Sequence, residues 1–116
     1  MKLTKEVLLA KIEAAYTATG YKPIFGAYYE KGMDNVERAC PLTALVNANI
    51  NGRSPPIHCH NSVEQEIYKL LSVEHEWVVS FIGGVDGFPA GVPDEKAFAL
   101  GKYIASHIML EPGRYV

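Results

Sequence analysis

At 116 residues the chain falls below the ~150 residues of an average domain, so residues 1–116 are expected to form a single globular domain. Hydrophobic residues make up 48% and charged residues 21%, a balance that excludes wholesale disorder. Eleven Lys and Arg against thirteen Asp and Glu give a net charge of −2, which excludes the basic surface that nucleic acid selects.

The first eleven residues lack the apolar block of a signal peptide, because Lys5, Glu6 and Lys11 interrupt them. Two cysteines, Cys40 and Cys59, are too few for a disulfide framework, so free thiols and a cytoplasmic location are expected. The longest uncharged stretch, residues 39–52, is too short and too polar to span a bilayer, and no membrane partner is expected.

Thr4 is suited to cap a first helix that Gly20 ends. Leu8, Ile12, Ala15, Tyr16 and Thr19 recur between them at three- and four-residue steps and mark its inner stripe. Residues 21–30, rich in aromatic and β-branched side chains, read as an extended segment that turns at Lys31-Gly32. Residues 36–39 return as a second strand, so a β-hairpin is expected near residues 23–39. Pro41 opens a second helix to about Ile50 over Leu42, Leu45 and Val46, and Asn51-Gly52 stops it. The prolines of residues 53–60 stiffen a connector, and Ser62 with Gln65 resembles a capping box that opens a third helix through Leu71.

Ser72 is expected to cap a fourth helix over Trp77, Val78, Phe81 and Ile82. A turn-rich loop covers residues 83–93, in which the Asp86 carboxylate is expected to bond its own backbone. Asp94 caps a last helix to about Met109, where Ala97, Gly101 and Ala105 form a stripe of small residues suited to close helix packing in the core. The expected fold class is mainly α: a bundle of about five short helices with one hairpin.

His58-Cys59-His60 is the most chemically loaded tripeptide. In an extended segment its two imidazoles face the same way and can share zinc or another borderline metal, given a further ligand such as Cys40, His75, His107 or Asp86. The plainer reading is a proline-stiffened connector with two solvated histidines. Cys40 precedes Pro41 at a helix start, where free amides and the helix dipole favour a nucleophilic thiolate, with His58 or His60 as its base. The plainer reading here is a buried structural thiol. Tyr21, Phe25, Tyr28 and Tyr29 fall within nine positions and suit either a binding surface for a ligand or partner or the roof of a helical core. The glycines at 83, 84, 87 and 91 follow a helix rather than a strand, so a phosphate loop is excluded.

Two functions follow. The first is a small helical protein that acts by binding a partner protein, a second copy of itself or a small ligand. The second is a metal- or thiol-dependent enzyme centred on Cys40, His58 and His60.

Overall fold

A computed structural model describes residues 3–49, 57–87 and 93–112. Five helices carry most of these: α1 (Lys5–Thr19), α2 (Pro41–Asn49), α3 (His60–Leu71), α4 (His75–Asp86) and α5 (Glu95–His107). The strands are β1 (Lys22–Phe25), β2 (Tyr29–Lys31), β3 (Glu37–Ala39) and β4 (Glu111–Pro112).

The mainly α class holds, but the strand region exceeds one hairpin. The expected hairpin is present as β2 antiparallel to β3, with Glu30 opposite Arg38. Gly26, at φ +86°, breaks the long extended segment into two strands, a bend that a side chain would strain. β1 therefore lies on the far side of β3, in parallel, and β4 adds in parallel to the outside of β1. The order is β2-β3-β1-β4. Alternation along a few residues cannot reveal parallel partners, which come from elsewhere in the chain.

Helix α1 forms as its sequence dictates. Thr4 Oγ1 accepts from Val7 N at 3.2 Å, Gly20 takes the left-handed conformation, and Leu8, Ile12, Ala15 and Tyr16 are buried. Helix α2 starts at Pro41 and is buried from Pro41 through Asn47, because α1 covers one side and α3 and β3 approach the others. The expected Asn51-Gly52 stop, and the connector before Ile57, lie outside the described residues.

Three boundaries of α3 and α4 differ from expectation. Helix α3 begins at His60, two residues before the capping-box serine, with Cys59 as its N-cap. Ser72 ends α3 in a left-handed conformation, and its amide bonds Tyr68 O; the N-cap of α4 is Glu74. Helix α4 continues through Gly83 and Gly84 to Asp86, where a loop was expected, and Gly87 is its C-cap at φ +83°.

The reason for that continuation is the crossing of α4 and α5, the most extensive contact between elements. Gly84 and Gly101 face each other so closely that a Cβ on Gly101 would stand 2.1 Å from Phe81 O, and one on Gly84 2.2 Å from Phe98 O. Ala97 and Gly101 of the small-residue stripe thus pack inside the core, with Ile104 fully buried beside them, whereas Ala105 is half-buried. Asp94 caps α5 by accepting from Ala97 N, and the helix ends at His107, two residues earlier than expected.

Backbone atoms cannot rotate out of the way as a side chain can. Gly101→Ala should therefore lower unfolding stability by about 3 kcal/mol, the upper end of the cost of overpacking. Urea unfolding of the variant checks this, and an unchanged midpoint would mean that the two helices do not cross so closely.

Candidate functional site

Of the residues singled out in the sequence, Tyr28 and His60 meet around Glu64, and Tyr21, Tyr29 and His58 form a second cluster, both near the start of β2 and the N-terminus of α3. A side-chain clamp starts the arrangement. Asn47 at the end of α2 donates from Nδ2 to Ile57 O at 2.7 Å and accepts at Oδ1 from Ile57 N at 2.8 Å. Its amide mimics a strand partner, and it fixes where the His58–His60 segment begins.

From there the two imidazoles part. His58 stacks on Tyr29, with ring centroids 3.4 Å apart, and its Nε2 is 3.0 Å from the Tyr21 hydroxyl. His60 stacks on Tyr28 at 4.5 Å, and its Nε2 bonds Glu64 Oε2. Tyr28 closes the bend and Tyr29 opens β2, and each imidazole stacks on a different one of these two rings. Among the described residues no three His, Cys, Asp or Glu side chains stand where they could hold one metal ion.

Glu64 is the centre of the face and was not recognised in the sequence. Its side chain is only 10% exposed. Oε2 accepts from the Tyr28 hydroxyl at 3.0 Å and from His60, and Oε1 accepts from the Tyr68 hydroxyl at 3.0 Å. Tyr68 has a single proton and gives it to Glu64, so at the 3.1 Å contact between Tyr68 and His75 the donor is His75 Nδ1. His75 Nδ1 also lies 3.6 Å from Glu64 Oε1. Burial raises the Glu64 pKa, but the hydrogen bonds from Tyr28, Tyr68 and His60 outweigh it, and the carboxyl titrates below its ordinary value.

Around this centre the other tyrosines are held as neutral phenols. Burial, then Cys40 and Glu64, raises the Tyr28 pKa, and burial with the Glu37 hydrogen bond raises that of Tyr29. Tyr29 donates to Glu37 Oε2 at 2.8 Å. Tyr21 is buried and meets Tyr29 edge to face at 5.9 Å. Phe25 packs half-buried against the core and joins none of these ring pairs among the described residues.

Among the described residues the hydrogen-bond partner of the Cys40 thiol is Thr43, not an imidazole. Cys40 is buried, its Sγ is 3.5 Å from Thr43 Oγ1, and it lines a small cavity of about 60 Å3 with Tyr28, Ile82 and Asp86. Burial raises its pKa and outweighs the helix-start amides, so the thiol is protonated at neutral pH. Asp86 does not bond its own turn: Oδ1 accepts from Gly26 N at 3.0 Å, which ties α4 to the bend between β1 and β2. Cys59 is exposed, and the amides of Ser62 and Asn61 lower its pKa.

The spacing that could have revealed the centre is His60, Glu64 and Tyr68 at four-residue steps, one stripe of α3. A helix start placed at Ser62 hid it, because His60 then falls outside the helix. Asn47 carries no such signal, since its partner is a backbone ten residues away.

Comparison with known proteins adds no relative: no family model, no curated protein and no solved structure matches the chain.

Two predictions follow from these surroundings. His58 is held below the ordinary imidazole pKa mainly by burial, partly offset by Glu37, with Lys31 acting in the same direction as burial. Its contribution to stability is present above the ordinary value of about 6.5 and is lost as pH falls through its lowered value. That of Glu64 is present above the ordinary carboxyl value of about 4.3 and is lost as pH falls through its own lowered value. Urea unfolding from pH 8 to pH 3 should show stability falling in two acid steps, with His58→Gln flattening the first and Glu64→Gln the second. The thiols should differ as well. A disulfide reagent such as Ellman's should label Cys59 in the native protein and Cys40 only after unfolding, and fast labelling of both would show Cys40 to be accessible.

Proposed function

We propose that the protein acts by binding, through the face where Tyr28, His60, Tyr68 and His75 gather around Glu64, with Tyr21, Tyr29 and His58 stacked as a second cluster, and that its partner presents a cationic side chain there. The observation that carries this reading is the state of Glu64. It is an ionised carboxylate, nine-tenths out of solvent, held by phenol hydroxyls and imidazoles, with no Lys or Arg paired to it among the described residues. A carboxylate withdrawn from water is stabilised by an opposite charge, and a guanidinium or ammonium group supplies that charge with matching hydrogen bonds.

The surroundings support the same reading. His60 and His75 are exposed over most of their side chains and border the carboxylate, so an incoming donor can reach it by displacing them. Glu37 lies beside Tyr29 and adds negative potential to the same side. The contending chemistry, a thiol nucleophile activated by an imidazole, has less behind it. The Cys40 thiol is protonated and its hydrogen-bond partner is Thr43.

The test is a titration of the isotopically labelled protein with a short Arg- and Lys-bearing peptide, alongside an Asp- and Glu-bearing control. The basic peptide should shift the amides of α3 and the start of α4, and Glu64→Gln, verified as folded from its own spectrum, should weaken binding about tenfold. Equal response to both peptides, or unchanged affinity in Glu64→Gln, would overturn the proposal.

A further inference from the structure

Sharing no lining residue with the tyrosine–histidine face, a groove of about 470 Å3 lies between α1, α2 and the end of α3. That volume lies within the ~300–1,000 Å3 of small-molecule sites. Its walls are apolar and low: Ala14 and Ala18 on α1, Leu45 and Ala48 on α2, and Leu71 at the end of α3. The alanines cause it, because the four methyl groups of Ala14, Ala15, Ala18 and Ala48 stand where longer side chains would close the space between helices. Leu70, 37% exposed, borders the same space.

One charged side chain lines this groove. Lys11, Ala14 and Ala18 follow at three- and four-residue steps, so Lys11 stands on the same stripe of α1, one turn before Ala14. Lys11 is exposed and pairs with no carboxylate among the described residues. The remaining polar groups of the lining are those of Asn49 and Ser72.

We propose that this groove is a second binding site, for a medium-chain aliphatic carboxylate. The hydrocarbon tail lies on Ala14, Ala18, Leu45, Ala48 and Leu71, and the carboxylate meets the Lys11 ammonium. The single positive charge matches a single negative one, and apolar walls next to it suit a ligand with one polar end. A cationic amphiphile would place like charge against Lys11. An extended peptide would bring a row of backbone donors and acceptors to walls that offer only Asn49 and Ser72. The site is independent of Glu64 and stands or falls without it.

Dodecanoate, kept below its micelle concentration, is the probe, with dodecylammonium as the opposite-charge control. Amide spectra and calorimetry on the full chain should show saturable dodecanoate binding that shifts Ala14, Ala18 and Ala48. Dodecylammonium should bind about tenfold more weakly, and so should dodecanoate to Lys11→Gln. Ala18→Trp changes an exposed helix position, fills the groove and should abolish binding; if that variant fails to fold, Lys11→Gln carries the test. Absence of saturable shifts, equal binding of the two amphiphiles, or dodecanoate affinity unchanged in Lys11→Gln would overturn the proposal. So would sedimentation showing a dimer that Ala18→Trp dissociates, since the groove would then be an interface between copies.

Discussion

A carboxylate withdrawn from water has to be satisfied, and Glu64 meets that requirement by drawing together parts of the chain that otherwise have little reason to meet. Tyr28 comes from the bend before β2, His60 and Tyr68 from α3, and His75 from the first turn of α4. An ionised group left unpaired in such a place costs several kcal/mol, so each donor is held where the carboxylate needs it. The stack of His60 on Tyr28 joins two of these donors, while His58 stacks on Tyr29 with partners of its own, Tyr21 and Glu37. One member of each of two motifs that look separate in the sequence, Tyr28 of the aromatic cluster and His60 of the His-Cys-His triplet, meets at a glutamate that belongs to neither.

What could be read in the sequence was local. Thr4, Gly20, Pro41 and Asp94 act through bonds within a few residues, and the ends of α1 and the starts of α2 and α5 lie where those residues put them. Ser72 misled because serine in a left-handed C-cap and serine at an N-cap look alike until the neighbouring turn is known. Gly83-Gly84 misled for a different reason. Glycine signals a break in isolation, but here tertiary packing overrides propensity: the helix keeps its glycine because α5 comes within backbone contact. The parallel pairing of β1 with β3 and β4 was illegible on principle, since no short pattern encodes which distant strand will lie alongside.

The candidate site was half legible on the same terms. Tyr21, Tyr28, Tyr29, His58 and His60 were found by residue type and proximity, whereas Glu64, Tyr68 and Asn47 depend on where a helix begins or on a backbone partner across a connector. Cys40 shows why position alone is a poor guide to reactivity. It sits at a helix start, as a reactive thiol does, yet burial outweighs the amides there and holds the proton on. Cys59, in a similar position but exposed, has the lower pKa of the two relative to its ordinary value.

Helix α2 is the element that relates the two faces of the molecule. Asn47 clamps Ile57 and so sets the base of the His58–His60 segment, while Leu45, Ala48 and Asn49 line the apolar groove. The helix is only nine residues long and buried over its first seven, so it shifts as a rigid unit if it shifts at all. An occupant that pressed on Ala48 would bear on the same turn that holds Ile57, and from there on the ring that stacks against Tyr29. The clamp makes any such transmission stiff: two backbone-like hydrogen bonds to one residue leave little slack between α2 and the segment it positions.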